Sequence, residues 1–82
     1  MSKKVANHLI EVGYYPNGKL KIEHPIDKNG FTTGTVKVYY PSEKIMAKES
    51  YKNDKLDRIV KKYDESGKII SEEFYQNGNR IK

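Results

Sequence analysis

The sequence has no cysteine and no tryptophan, and it holds only two histidines and three prolines among 82 residues. Without cysteine the chain can form neither a disulfide nor a thiolate metal site. A histidine-based metal site needs several ligands at close spacing, and His8 and His24 stand apart without an obvious partner. We therefore expect no metal ion and no cofactor, and the lack of cysteine fits a reducing, cytoplasmic location.

Long apolar runs are also missing. No stretch of 18 apolar residues is present, so no membrane span is predicted. The basic start Met1-Ser2-Lys3-Lys4 is not followed by the apolar run of a secretory signal. What the chain does have is basic charge, with 16 lysines and arginines against 11 acidic residues and a net charge of +5. This balance favours acidic partners, although scattered lysines also serve solubility.

The acidic and hydroxyl side chains form no catalytic pattern. Glu72 and Glu73 are neighbours and would point to opposite faces of a strand. Asp64 and Glu65 fall in a turn, where aspartate is structurally favoured. No glycine-rich phosphate loop or nucleophile elbow is present, and no base accompanies the serines. We therefore predict that the protein is not an enzyme.

An internal repeat is the main feature of the sequence. The segment Tyr14–Leu20 returns as Tyr39–Ile45 and again as Tyr63–Ile69. Each copy has a tyrosine, three or four turn-forming residues, a lysine and a branched aliphatic residue, and the lysines lie 25 and 24 residues apart. Periods of this size are typical of stacked repeats. We expect a flexible tail over residues 1–7 and one domain of about three copies over residues 8–82.

Each copy reads as a β-hairpin followed by a return turn. Runs of alternating apolar and polar residues are separated by turn signals: Pro16-Asn17-Gly18, Asn29-Gly30, Asn53-Asp54, Glu65-Ser66-Gly67 and Asn77-Gly78. The pattern predicts an all-β fold, an antiparallel meander of six or seven short strands in a single sheet or an open roll. We expect His24-Pro25 to interrupt strand pairing, because proline lacks the backbone donor.

Residues 54–64 also fit a helix. Leu56, Ile59, Val60 and Tyr63 recur with the spacing of one helical face. The equivalent segment of the preceding copy, residues 30–40, is rich in glycine, threonine and valine, which form helices poorly. The repeat register therefore favours a strand, with a helix as the alternative.

The sequences Tyr14-Tyr15-Pro16-Asn17-Gly18-Lys19-Leu20, Tyr51-Lys52-Asn53-Asp54-Lys55-Leu56-Asp57 and Tyr63-Asp64-Glu65-Ser66-Gly67-Lys68 resemble the MORN-variant repeat found in YwqK-type bacterial antitoxins. The resemblance covers residues 13–82. It departs from the family pattern at Glu43 and Arg58, where the family has glycine. Gly34, at the position equivalent to Arg58, keeps the glycine. The resemblance implies stacked antiparallel hairpins that bind a partner without catalysis, in a protein of bacterial or phage origin.

Strand alternation places apolar groups on both sides of the predicted sheet. Val36, Val38 and Tyr40 would point one way and Tyr39 the other. In the last long strand, Ile69, Glu73 and Tyr75 would oppose Ile70 and Phe74. A chain this short cannot cover two apolar faces by itself. We therefore expect one face or one edge to be buried against another chain.

Repeated tyrosines and lysines are the candidates for that surface. The tyrosines could form a cross-strand aromatic ladder, or an exposed interface, where tyrosine is enriched. The predicted partner-binding residues are Tyr14, Tyr39, Tyr40, Tyr63, Phe74, Tyr75, Lys37, Lys61 and Lys62. The favoured interpretation is an antitoxin, immunity or inhibitor protein that binds an acidic patch on a partner protein. Alternatives are self-association, nucleic-acid binding and anionic-lipid binding.

Overall fold

The computed structural model describes residues 9–82, which form one antiparallel sheet of seven strands in chain order. The predicted tail over residues 1–7 and the histidine at position 8 lie outside the described residues. The fold prediction is confirmed, since consecutive hairpins build a single open sheet and no described residue is helical. The strands are β1 (Leu9–Tyr14), β2 (Leu20–Ile26), β3 (Gly34–Tyr39), β4 (Ile45–Lys52), β5 (Lys55–Tyr63), β6 (Ile69–Gln76) and β7 (Asn79–Arg80).

Four five-residue loops share one backbone geometry. In each, the first residue accepts a hydrogen bond from the N–H of the fourth and donates its own N–H to the carbonyl of the fifth. The fourth residue has a positive φ of 77° to 92°, as expected for a type I turn followed by a left-handed residue. The loops are Tyr15–Lys19, Asp27–Phe31, Tyr40–Lys44 and Asp64–Lys68.

The return turns between repeats are of two kinds. Asn53-Asp54 and Asn77-Gly78 have positive φ at both residues, which is the geometry of a two-residue type I′ hairpin. Asn29-Gly30 differs from this expectation, because only Gly30 has a positive φ and the pair belongs to one of the five-residue loops. The connection from β2 to β3 is therefore longer than the two-residue return turns.

A β-bulge recurs in every repeat. One extra residue, at Lys21, Met46 or Ile70, opposes the strand that ends at the repeat tyrosine. The bulge changes the face of the residues beyond it. Ile69 consequently pairs with Tyr63 and lies on the same side of the sheet as Phe74. The alternation counted from the sequence, which placed Ile69 with Glu73 and Tyr75, is wrong at this point.

Residues 55–63 form strand β5, so the strand interpretation of this segment is confirmed. The backbone at Arg58 has φ 78°, and at the equivalent Gly34 it has φ 118°. At this point the register between β4 and β5 shifts. The apparent helical spacing of the apolar residues arises because this irregularity interrupts the two-residue alternation of the strand.

Pro25 lies within strand β2, and the expectation that His24-Pro25 interrupts pairing holds on the β3 side only. On the β1 side, His24 pairs with Glu11 and Pro25 pairs with Ile10. On the β3 side, the Pro25 carbonyl accepts a hydrogen bond from the Thr33 N–H at 3.1 Å. Proline has no N–H to add to that ladder, and the regular pairs between β2 and β3 are only Ile22–Val38 and Glu23–Lys37.

The core is thin and lies on one side of the sheet. Val36, Ala47 and Val60 are 3–4% exposed and are the buried apolar residues of the described chain. The pairs Val36–Glu49 and Glu49–Val60 place them on one side, which we call the core face. Burying a valine contributes about 1.5–3 kcal/mol. This small core leaves much of the stability to hydrogen bonds along the chain and between repeats.

Two tyrosine hydroxyls join successive repeats. The Tyr15 hydroxyl donates to the Tyr39 carbonyl at 2.6 Å, and the Tyr40 hydroxyl donates to the Tyr63 carbonyl at 2.7 Å. The equivalent position of the third copy holds Asp64, whose carboxylate accepts hydrogen bonds within its own loop. The second tyrosine of the Tyr-Tyr pair therefore has a structural role in two of the three copies.

Replacing Glu43 by glycine is expected to stabilise the protein. Glu43 occupies a left-handed position that glycine holds in the other three loops, at a cost of about 1–2 kcal/mol. Part of the gain from removing this strain, about 0.5–1 kcal/mol, is cancelled because glycine loses more conformational entropy on folding. The exposed Lys19–Glu43 ion pair at 3.1 Å is also lost. We expect the free energy of unfolding to rise by about 0.5 kcal/mol in urea titrations. Ser42→Gly, at a position without positive φ, should lower it, and an equal gain in both variants would contradict the assignment.

Tyr40→Phe tests the bond between repeats. Removing the hydroxyl leaves the Tyr63 carbonyl without its side-chain donor, so we expect unfolding free energy to fall by about 1 kcal/mol. Tyr63→Phe is the matched control, because its hydroxyl has no protein hydrogen-bond partner within residues 9–82. Chemical denaturation of both variants separates the hydroxyl's contribution from that of the ring. Equal losses in the two would contradict the structural role of Tyr40.

Candidate partner-binding face

Five charged residues line up across five strands on the side opposite the core. The pairs Glu23–Lys37, Lys37–Lys48, Lys48–Lys61 and Lys61–Glu72 are successive partners in the sheet register. Directly paired residues on antiparallel strands project from the same side, with Cβ atoms about 4.5–5.5 Å apart. We call this row of Lys37, Lys48 and Lys61 the lysine row, and the side that carries it the lysine face.

The predicted partner-binding residues divide between the two faces. The register places six of them on the lysine face: Tyr14, Tyr39, Tyr63, Phe74, Lys37 and Lys61. The other three, Tyr40, Lys62 and Tyr75, lie on the core face. The structure therefore brings two thirds of the predicted set together, and no single partner surface would touch all nine.

Lys48 is the residue that the predicted set lacks. It is half-buried and lies between Lys37 and Lys61. The repeat could not reveal it, because the equivalent residues of the other copies are Glu23 and Glu72. Only the strand register shows that it completes the lysine row. The alternation Glu23, Lys48, Glu72 on even-numbered strands is the one sequence signal that this row is charged throughout.

Apolar side chains flank the lysine row on one side. The pairs Tyr14–Leu20, Tyr39–Ile45 and Tyr63–Ile69 each join a tyrosine to an aliphatic residue of the same hairpin. The repeat tyrosines lie on β1, β3 and β5, with an intervening strand between each two. They therefore form a mixed row with aliphatic residues rather than the predicted tyrosine-on-tyrosine ladder.

Several of the apolar side chains on the lysine face are accessible to solvent. Tyr14 is 62% exposed and Ile69 is 46% exposed. On the other side of the lysine row, Phe74 is 37% exposed and pairs with Ile59. A basic centre with aromatic and aliphatic flanks combines charge recognition with apolar contact.

The tyrosine at the centre of this face is held by an acidic neighbour. The Tyr39 hydroxyl donates to Glu23 Oε1 at 2.8 Å. Partial burial raises the pKa of Tyr39, and the hydrogen bond and negative charge of Glu23 raise this pKa further. This contact also crosses from β2 to β3, where the backbone ladder is short.

Tyrosines on the core face have a similar acidic environment. The hydrogen bond to Glu73, at 3.1 Å, is the main cause that raises the pKa of Tyr75. Partial burial raises the pKa of Tyr51, with a further contribution from the charge of Glu49. A raised pKa favours the protonated phenol, which can donate a hydrogen bond, as Tyr75 does to Glu73.

The acidic residues Glu72, Glu73 and Asp64 take part in strand pairs or in the hydrogen bonds of a loop. Glu72 and Glu73 project from opposite sides of the sheet, since they pair with Lys61 and Val60. Hydrogen bonds from the Ser66 hydroxyl and the Lys68 N–H lower the pKa of Asp64. Within residues 9–82 no three metal-ligating side chains come together, and no helix is long and apolar enough to cross a membrane.

A groove lies away from the lysine row, at the end of β3, β4 and β5. It has a volume of about 470 Å³ and its lining includes Tyr51, Lys52, Asp57 and Arg58. The groove is open, and two of its polar side chains, Thr33 and Asp57, accept hydrogen bonds from backbone N–H groups. Asp57, for example, accepts a hydrogen bond from the Asn77 N–H at 3.3 Å.

Comparison with known families identifies the repeat. The model of the MORN repeat variant matches residues 7–28, 32–53 and 59–77, which together cover most of the chain. MORN repeats are commonly protein- or lipid-binding modules, consistent with a binding role for this chain. No curated protein and no solved structure matches the chain at a significant level.

Tyr39→Phe is expected to change how stability depends on alkaline pH. Because the folded pKa of Tyr39 is above the ordinary value of 10.0, its contribution is complete below pH 10 and is lost as pH rises through the folded pKa. The variant should therefore be less stable than the parent near pH 8 but lose less stability above pH 10. Urea titrations at both pH values measure this difference, with Tyr14→Phe as the control. An unchanged pH dependence would contradict the Tyr39–Glu23 contact.

Proposed function

The chain belongs to the MORN repeat variant family, and from this premise we propose that it is a non-enzymatic module that binds an acidic partner protein through its lysine face. The finer proposal is that binding neutralises the partner, as in an antitoxin, immunity or inhibitor protein, in the reducing cytoplasm of a bacterium or its phage. The single observation that carries the proposal is the lysine row of three directly neighbouring cations.

The lysine row is unfavourable for the isolated fold. Like charges placed directly opposite each other in a sheet destabilise it by roughly 0.2–1 kcal/mol per pair. Lys48 has a lysine on both sides, whereas Lys37 and Lys61 each have one glutamate neighbour. An acidic surface docked on this face would offset the repulsion, and the flanking apolar side chains would add contact area.

Lys48→Gln separates stability from binding. It removes both lysine–lysine neighbours and breaks no lysine–glutamate pair, so we expect the free energy of unfolding to rise by about 0.5 kcal/mol at low salt. Partner affinity should fall instead, by roughly tenfold if about 1.4 kcal/mol of interaction is lost. Denaturation gives the first quantity. Affinity capture from cells that naturally produce the protein, followed by titration of the captured protein, gives the second.

Lys44→Gln is the matched control, because it removes the same charge from an exposed loop position. It should leave both stability and binding near the parent values. Equal loss of binding in the two variants would show that net charge alone attracts the partner, and the lysine face would be excluded as the site. For the neutralising role, co-expression with the captured partner should relieve growth arrest for the parent and less so for Lys48→Gln.

Nucleic-acid binding is a second candidate, because Tyr39 and Tyr63 flank the lysine row on the same face. Bases stack on aromatic rings while lysines contact phosphates. A labelled single-stranded oligonucleotide would then bind with an affinity that falls steeply as salt rises, since counterions are released. Nuclease treatment before affinity capture distinguishes the two candidates, and vesicles with anionic headgroups test the lipid alternative. Nuclease-sensitive or vesicle binding, with no protein captured, would overturn the proposal.

A further inference from the structure

Strand β1 is an edge strand without the usual protection. It carries apolar side chains that are 44–65% exposed, namely Leu9, Ile10, Val12 and Tyr14. Natural sheets protect their edges with lysine, proline or a bulge on the edge strand. The segment from Leu9 to Tyr14 contains no lysine and no proline, and the bulge of this hairpin is on β2. Its one charged residue, Glu11, contacts His24 of β2 at 3.4 Å. As far as residues 9–82 are concerned, β1 is therefore open to pairing with another strand.

The backbone of β1 presents hydrogen-bonding groups to the open side. Pro25 has no N–H, and its carbonyl bonds to Thr33 on the β3 side. In the Ile10–Pro25 pair, the backbone groups of Ile10 therefore point away from β2. Alternation along the strand gives Val12 and Tyr14 the same orientation. No residue of the described chain lies beyond β1 in the sheet order.

We propose that β1 pairs antiparallel with β1 of a second copy, across a two-fold axis at Val12. This register places Val12 opposite its own copy and Ile10 opposite Tyr14 of the partner subunit, so exposed apolar side chains of the lysine face meet. On the core face, Glu11 would lie opposite the partner's Gly13, so no like charges meet. The pairing continues the sheet across two molecules and leaves the lysine row uncovered.

The register argues for this closed dimer over head-to-tail stacking. If β6 of one copy paired with β1 of the next as β4 pairs with β5, Glu73 would face the partner's Glu11. Part of that edge is also taken, because β7 pairs with Tyr75 and Gln76. Asp64 stands where Tyr15 and Tyr40 supply hydroxyls to the following repeat. A two-fold contact closes on itself, whereas head-to-tail contacts propagate.

Two matched isoleucines provide the first test. Ile10 is 64% exposed on β1, and Ile70 is 61% exposed on β6. Size-exclusion chromatography with light scattering should give the parent, at concentrations up to about 0.1 mM, twice the 9.5 kDa of one chain. Ile10→Lys should give a monomer and Ile70→Lys a dimer. Far-UV circular dichroism confirms that each variant retains the sheet.

A single cysteine provides the second test, since the sequence has none. In Val12→Cys the proposed axis brings two thiols opposite each other, with Cα atoms about 5.5 Å apart, within the range of disulfides. Oxidised glutathione, which takes up the two electrons, should produce a covalent dimer in high yield. Ile70→Cys under the same conditions should remain largely uncrosslinked.

Three results would overturn the proposal. These are a monomeric parent across the concentration range, species larger than a dimer that Ile70→Lys abolishes, and equal crosslinking at both cysteine positions. The outcome is separate from that of the lysine face. Lys48→Gln should lose partner binding and keep the dimer, whereas Ile10→Lys should lose the dimer and keep the lysine row intact.

Discussion

A single sheet has no second layer to bury either of its faces, and this constraint governs the rest of the molecule. Within residues 9–82, the apolar side chains that are almost completely buried are Val36, Ala47 and Val60, at the centre of the core face. The rest of the stability must come from hydrogen bonds: those of the strand ladders, those of the recurring loops, and those that tyrosine hydroxyls donate to the next repeat. The same constraint leaves the lysine face open to solvent, so the surface available for recognition follows from the architecture itself.

The repeat pattern was sufficient to predict the hairpins, their order and the strand at residues 55–63. Alternation failed at the bulges, because an inserted residue such as Ile70 changes the face of Ile69 without leaving a signal in apolar spacing. The interruption expected at Pro25 is found on the β3 side only, because its backbone groups face β3 and β1 still pairs with it. Both outcomes depend on register, which is set by contacts between strands rather than by local sequence.

In the candidate site, too, some residues could be predicted from the repeat and others are placed only by strand pairing. Lys37 and Lys61 were visible as a repeated position, but Lys48 entered the row only through strand pairing. Tyr40 was visible as a recurrent tyrosine, yet its hydroxyl binds the following repeat. Departures from the glycine pattern at Glu43 and Arg58 left the backbone geometry in place, since both residues adopt positive φ. The fold thus tolerates some strain at these two residues.

The proline in β2 also has a mechanical consequence. Among the ladders that join the six long strands, the one between β2 and β3 has the fewest regular pairs, namely two, so these strands have least backbone cohesion there. Two side-chain hydrogen bonds cross this ladder, from Tyr15 to the Tyr39 carbonyl and from Tyr39 to Glu23, and the exposed Lys19–Glu43 ion pair joins the adjoining loops. Proteins open first where few such bonds must break. The first hairpin, β1 and β2, can therefore separate from β3 as a unit, and hydrogen exchange within it should be faster than in β3 to β6. The hydroxyls of Tyr15 and Tyr39 oppose this separation.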